Sequence, residues 1–299
     1  MRAVRYDRFE GVDGLFIDHV PEPVPGRGEV LVRVRSAALN PGALPALHGA
    51  PYVPGRDLAG DVVALGEGVE GYVVGDAVLG RVQSWQAHAE LVPMPIVELV
   101  IKPATLHWDV AGALFTTPMA GLGAVRAVGP MPGDLVVVTG ASGGVGFTAA
   151  QLARRAGADV VGLTSPTNAD LLERHGIRAV KYGAGEEDRL RAVAQDRPIS
   201  AFIDTVGNGY IELALRLGVQ RNRIDTVVDY AGAKQHGVKA LGTNDAGGTA
   251  ALNELARLAA SGELVIPIAQ AYPLRAVQDA YRALADRHLH GRIVLHPQE

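Results

Sequence analysis

A chain of 299 residues with 48% hydrophobic side chains supplies apolar material for two cores of ordinary size, which excludes a disordered or fibrous protein. A formal net charge of -4, with no block of like charges, excludes the electrostatic footprint of a nucleic-acid or anionic-membrane binder and leaves a small molecule as the default partner. Cysteine is absent, which removes disulfides, thiolate nucleophiles and every cysteine-ligated zinc site.

The opening run MRAVRYDRFE is charged and lacks an apolar h-region, so no secretory signal is expected. Up to about residue 100, short valine-rich runs are punctuated by Gly and Pro. In EVLVRVRSAALNP, Val30, Val32 and Val34 alternate with Leu31, Arg33 and Arg35, the period of two of a strand with one wet face. DLAGDVVALGEGV, GYVVGDAVLGRV and WQAHAELVPMP follow at similar spacing and predict a compact β-barrel or sandwich. The run AELVPMPIVELVIKP is broken by Glu90, Pro93, Pro95 and Glu98 and is too short to span a bilayer. A soluble cytoplasmic protein is expected.

Near Asp109 the pattern changes, and that residue is placed to cap one helix running through DVAGALFTTPMAGLGAVRAV. LVVVTG, DVVGLTS, IRAVKY, AFIDTVG and RIDTVV are strand candidates separated by helical stretches, the pattern of a parallel sheet covered on both faces. Near the end, Leu274, Val277, Tyr281 and Leu284 form a helical stripe, and GRIVLHP is a last strand.

The stretch DLVVVTGASGGVGFTAAQLARRAGADVVGLTS admits two chemistries. Gly140-Ala141-Ser142-Gly143-Gly144 spells G-x-S-x-G, the elbow of a nucleophilic serine, and Ser142, Asp229 and His288 follow in the chain order of α/β-hydrolases. Gly140, Gly143 and Gly146 instead suit a turn that cradles a dinucleotide pyrophosphate at a helix N-terminus. Both need a strand, a turn and a helix. Two features favour the nucleotide: no HGGG-like segment lies upstream to form an oxyanion hole, and the glycines continue past the elbow to Gly146.

Taken end to end, the motifs resemble those of the medium-chain dehydrogenase/reductases, in their zinc-free, NADP-dependent, zeta-crystallin-like quinone oxidoreductase branch. PEPVPGRGEVLVRVRSAALNPG, VPGRDLAGDVVALGEGV and VGDAVLG resemble the GroES-like part; GALFTTPMAGLGAV, GASGGVGFTAAQLARRAGADVVG and HGRIVLHP resemble the connecting helix, the nucleotide loop and the closing strand. The resemblance implies an α/β chain with a Rossmann doubly wound parallel sheet (110–267) and a GroES-like β-barrel catalytic domain (1–109 and 268–299). Where zinc-dependent relatives carry Cys and His ligands, this chain has Asn40-Pro41 and Gly55-Arg56-Asp57, so no zinc is expected.

The strand that would carry Asp or Glu toward an NAD ribose ends Leu163-Thr164-Ser165, which tolerates a 2′-phosphate and favours NADP. By the resemblance, Gly140, Ser142, Gly143, Gly144, Val145, Gly146, Thr164, Ser165, Tyr182, Val206 and Gly207 contact NADP(H), although Asn168 or Ala169 stands where relatives often have a lysine. Asn40 and Tyr52 are candidates for contact with a carbonyl or quinone, in the cleft between domains that relatives use, and Thr117 for the nicotinamide wall. PGALPALHGAPY, between Asn40 and Val53, departs most from the family and leaves the acceptor open. The expected activity is NADPH-dependent, zinc-independent reduction of a quinone or an α,β-unsaturated carbonyl. The alternatives are an enoyl-thioester reductase, a non-catalytic NADPH-binding protein and the Ser142 hydrolase. The resemblance also implies a homodimer, for which RIDTVVDYAG offers a sheet edge.

Overall fold

The computed structural model describes residues 1–6, 11–40, 54–83, 86–285 and 290–299. These fall into two compact units, Met1–Thr116 with Gly248–Glu299, and Thr117–Gly247.

In the first unit, β1 (Arg2–Tyr6) and β2 (Leu15–His19) form an antiparallel ribbon. A larger sheet runs in the order β13 (Ile268–Pro273), β14 (Arg292–His296), β3 (Glu29–Ala38), β4 (Asp57–Leu65), β5 (Ala77–Arg81), β7 (Leu99–Ile101), with β6 (Leu91–Pro95) also paired to β3. Val30, Val32 and Val34 point into a core shared with Leu58, Val62, Val78 and Met94, while Arg33 and Arg35 are exposed. Leu31, grouped with those arginines by strict alternation, is buried instead: the register against β4 shifts between Leu31 and Val32, and such a bulge re-aims the side chains on either side of it.

A single helix capped by Asp109 is not what forms. α1 (Trp108–Gly112) is capped by His107, whose Nδ1 accepts the Asp109 N–H at 3.3 Å, and α2 (Thr116–Val128) starts afresh. Pro118 is the reason: within a continuous helix its ring would strike the Leu114 carbonyl, whereas in a first turn its missing N–H costs nothing. Asp109 lies in the first turn and accepts from His296 Nε2 at 2.7 Å. α2 opens the second unit, whereas α8 (Gly248–Ala260) and α9 (Val277–Ala285) belong to the first and bury apolar stripes there, with Leu274, Val277 and Tyr281 of the expected stripe fully in the core.

The second unit is a five-stranded parallel sheet in the order β10 (Arg178–Lys181), β9 (Asp159–Thr164), β8 (Leu135–Val138), β11 (Ala201–Asp204), β12 (Ile224–Thr226). Connections run through α3 (Gly144–Arg155), α4 (Ala169–Arg174), α5 (Glu186–Ala194) and α6 (Tyr210–Arg216), with α7 (Tyr230–His236) after the last strand. This is the doubly wound order, and the winding reverses between β8 and β11, where such sheets open a crevice at the carboxyl ends of their strands.

The outer edge of β12, the stretch offered for dimerisation, is already paired within the chain. The Thr226 N–H donates to the Lys239 carbonyl and the Lys239 N–H to the Ile224 carbonyl, each at 3.1 Å. Beside it, Asp225 is buried, with Oδ1 accepting the Leu241 N–H at 2.8 Å and Oδ2 unpartnered among the described residues. Burial pushes its carboxyl up to about 7, against the opposing pull of the Leu241 N–H and of Lys239. A carboxyl whose pKa is raised on folding holds its proton longer in the folded state, so its stabilising contribution is full below the unfolded value and is lost as pH rises toward 7. Asp225→Asn is therefore expected to flatten the fall in melting temperature between pH 5 and pH 8, and an unchanged slope would refute the assignment. Among the described residues, no helix is long and apolar enough to cross a membrane.

Candidate active site

At the switch point of the parallel sheet, the chain leaves β8 through Thr139 and turns at Gly140, whose φ of +56° suits glycine and whose missing side chain makes room for Thr205 and Val206. Gly143 caps α3 without a side-chain bond, and the first intrahelical bond of the turn runs from the Phe147 N–H to the Gly143 carbonyl at 2.8 Å. The amides of Gly144, Val145 and Gly146 precede it, so they face outward as donors where the helix dipole favours an anion. Gly146 sits against the turn: a Cβ there would lie 2.3 Å from the Gly140 carbonyl oxygen. These residues make a cradle that fits a pyrophosphate.

Ser142 is held by the neighbouring strand. Its Oγ accepts the Thr164 hydroxyl and the Asn168 amide, each at 2.9 Å. Neither partner is a base, and Asp229 is occupied elsewhere, accepting the Gly232 N–H as the cap of α7. His288 lies outside the described residues. The geometry around Ser142 is that of a loop brace rather than of an activated nucleophile. Thr164 is buried and committed to Ser142, whereas the Ser165 and Thr167 hydroxyls pair with each other at 2.8 Å on the surface. Lys181 stands opposite Thr164 in register, the exposed Tyr182 follows it, and the Tyr182 N–H donates to the Thr164 carbonyl at 3.2 Å. Arg189 grips the loop that carries Tyr182, with its guanidinium donating to the carbonyls of Lys181, Gly183 and Ala184 at 2.9–3.1 Å.

Across the switch point, Asp204 organises the loop containing Val206 and Gly207. This fully buried carboxylate accepts from the Thr139 hydroxyl (3.0 Å), the N–H groups of Val206 (3.0 Å) and Gly207 (2.9 Å), and the Thr226 hydroxyl (2.8 Å). Thr205 adds a reciprocal pair with Thr139, its N–H to Oγ1 at 2.8 Å and its hydroxyl to the Thr139 carbonyl at 2.7 Å. Sequence reasoning missed Asp204, although a lone carboxylate in the apolar run AFIDTVG is itself a signal, since a buried charge needs fixed partners. Thr117, in the first turn of α2, has a buried hydroxyl with no partner among the described residues.

In the barrel unit, Asn40 is 5% exposed at the end of β3 and hydrogen-bonds to Asp57 and Arg292, neither of which the sequence reading singled out as a functional residue. Asp57 also accepts the Thr116 N–H at 2.9 Å and the Thr116 hydroxyl. Tyr52, with the whole of 41–53, lies outside the described residues. Among the described residues no group of three or more His, Cys, Asp or Glu side chains is placed to hold a metal ion.

Residues 26–95 match the family model described as alcohol dehydrogenase GroES-like domain, and residues 178–295 match that described as zinc-binding dehydrogenase. Acryloyl-coenzyme A reductase of Metallosphaera sedula is 27% identical over 327 residues, which cover 94% of this chain and 96% of that protein. Quinone oxidoreductase of Rattus norvegicus is 30% identical over 232 residues, 73% of this chain and 70% of the rat protein. Among solved structures, the quinone oxidoreductase from Coxiella burnetii superposes with a TM-score of 0.88 at 26% identity, covering 99% of each chain. With its doubly wound sheet, its glycine turn at the switch point and these relatives, the chain belongs to the medium-chain dehydrogenase/reductase superfamily and is an α/β oxidoreductase with a GroES-like domain and a Rossmann domain.

Proposed function

We propose that this oxidoreductase is an NADPH-dependent, zinc-independent reductase acting on a quinone or on the double bond of an α,β-unsaturated carbonyl. The observation that carries the reading is the glycine turn with three outward amides at a switch point whose second strand ends without a carboxylate. When bound there, NADPH supplies the hydride. The chain's residues do the rest: Gly144, Val145 and Gly146 hold the pyrophosphate through their amides, and Gly140, Ser142 and Gly143 shape the turn. Val206 and Gly207 line the nicotinamide ribose, and the Thr117 hydroxyl, lacking a protein partner among the described residues, contacts the nicotinamide ring. Ser165 and Tyr182 surround the 2′-phosphate, with Lys181 as the nearby cation, while Thr164 braces Ser142 from within the loop. Asn40 and Tyr52 orient the acceptor oxygen and donate to it as negative charge develops.

Zinc independence is supported by chemistry rather than by an empty site. Arg56 is no metal ligand, cysteine is absent, and both oxygens of Asp57 are occupied by Asn40 and Thr116 donors. Dialysis against a chelator is expected to leave the rate unchanged. Resemblance to acryloyl-coenzyme A reductase over nearly the whole chain favours an enoyl thioester as a second acceptor class.

The deciding experiment is a side-by-side titration with NADPH and NADH, followed by a panel of enones, quinones and enoyl thioesters. Tighter NADPH binding with turnover of a panel member is expected, and failure to bind either nucleotide would sink the reading. Ser142→Ala should weaken NADPH by only about fivefold, the worth of one neutral hydrogen bond. Complete loss of activity, or labelling of Ser142 by a fluorophosphonate, would restore the hydrolase.

A further inference from the structure

The Asn40 carboxamide bridges two opposite charges. Its Nδ2 donates to Asp57 Oδ2 at 3.2 Å, and its Oδ1 accepts from Arg292 Nη2 at 2.6 Å. Arg292 Nη2 and Asp57 Oδ2 are 3.9 Å apart, too far for a direct hydrogen bond, so the amide completes the link between them. All three residues are buried, and the same Arg292 nitrogen anchors the end of β3 through the Leu39 carbonyl at 3.1 Å.

We propose that Asp57 and Arg292 are positioning residues that lock the Asn40 amide in one orientation and leave its second Nδ2 hydrogen as the donor to the acceptor oxygen of the substrate. This rests on the reading of Asn40 as a substrate contact. A flipped amide would set its NH2 against the Arg292 donors and its oxygen against the Asp57 carboxylate, losing both bonds at once. The second Nδ2 hydrogen has no partner among the described residues, and no acceptor on Arg292 competes for it. Core stability alone does not call for this arrangement, because well-packed apolar residues replace a buried ion pair with little loss.

The test uses the full chain and the variants Asn40→Ala, Asp57→Asn and Arg292→Lys, with Asp57→Asn also made in the Asn40→Ala background. The first readout is the infrared carbonyl stretch of bound cyclohex-2-enone, recorded without nucleotide. It should move to lower frequency in the wild-type protein, keep its solution position in Asn40→Ala and fall between the two in Asp57→Asn and Arg292→Lys. The second readout is steady-state turnover: Asn40→Ala should lower kcat about 100-fold, as for loss of one donor to a developing oxyanion. The positioning variants should lower it roughly tenfold with KM little changed, as for a small misplacement of a reacting group. In the Asn40→Ala background, Asp57→Asn should cost no further kcat.

The inference is overturned by equal costs of Asp57→Asn in both backgrounds, or by an Asp57→Asn or Arg292→Lys protein that melts lower yet keeps the wild-type kcat and carbonyl frequency. Should Asp57→Asn fail to fold, Arg292→Lys carries the same comparison. A graded carbonyl shift in a protein that turns over no acceptor would overturn the proposed activity and leave the positioning role standing. Turnover with no carbonyl shift in the wild-type protein would do the reverse.

Discussion

Gly146→Val is expected to abolish measurable NADPH binding while the protein still folds. The first turn of α3 lies against the turn after β8 so closely that a Cβ at this position would sit 2.3 Å from the Gly140 carbonyl oxygen and 2.8 Å from its carbon. Both obstacles are backbone, so no side chain can swing aside. The helix start must move, and overpacking of this kind costs about 1–3 kcal/mol. The loss of affinity should be larger than the loss of stability. Moving α3 withdraws the amides of Gly144, Val145 and the residue at 146 from one anion, and each bond to a charged group contributes roughly 1.5–3 kcal/mol. Two such bonds amount to more than 100-fold in affinity. Gly143→Ala is the graded control, since its Cβ would stand 3.2 Å from the same oxygen and asks for a shift of only a few tenths of an ångström. Calorimetric titration with NADPH alongside thermal melts decides the matter. Wild-type affinity in Gly146→Val would remove the α3 N-terminus from the nucleotide site.

Asp204→Ala should produce the largest stability loss of any single truncation in the parallel-sheet unit. The carboxylate accepts four hydrogen bonds in a fully buried setting, from two hydroxyls and two backbone N–H groups. The Thr139 and Thr226 hydroxyls can rotate toward other acceptors, but the Val206 and Gly207 amides cannot. Each buried donor left unmet costs about 1–3 kcal/mol, which with the cavity brings the loss to roughly 3–5 kcal/mol and a fall of roughly 10 °C in Tm. Asp204→Asn should be far milder. Both backbone N–H groups and the Thr139 hydroxyl converge on Oδ1, which an amide oxygen replaces, so only the Thr226 hydroxyl loses its acceptor. If Ala and Asn variants melt together, Asp204 acts through its charge and not through the donors it gathers.

How much of this was legible in the sequence depends on how far apart the cooperating residues lie. The turn at Gly140 and the helix after it could be read because strand, glycines and helix are contiguous, and steric demand at Gly146 shows in the letters themselves. The brace of Ser142 by Thr164 and Asn168 could not, because it joins residues 22 and 26 positions apart whose meeting depends on the path of two strands and a turn. The letters alone point Thr164 toward a phosphate, whereas its hydroxyl is spent inside the loop. Asn40 was noticed for its family position, but its partner Arg292 stands 252 residues away, where no local pattern links them. The break between α1 and α2 is of a different kind: its cause, Pro118, is local and stands in the sequence itself, inside an apolar run whose periodicity continues across it.

The grip of Arg189 on three carbonyls carries a consequence for ligand kinetics. A surface loop normally samples many shapes, and an incoming molecule must wait for, or impose, the right one. The loop carrying Tyr182 is held at three carbonyls by a guanidinium from the following helix, which narrows the set of main-chain shapes open to it. If NADPH binds as proposed, encounter at this corner should depend on diffusion and on rotation of one aromatic ring, and selectivity between two dinucleotides that differ by a single phosphate should reside in how quickly each one leaves.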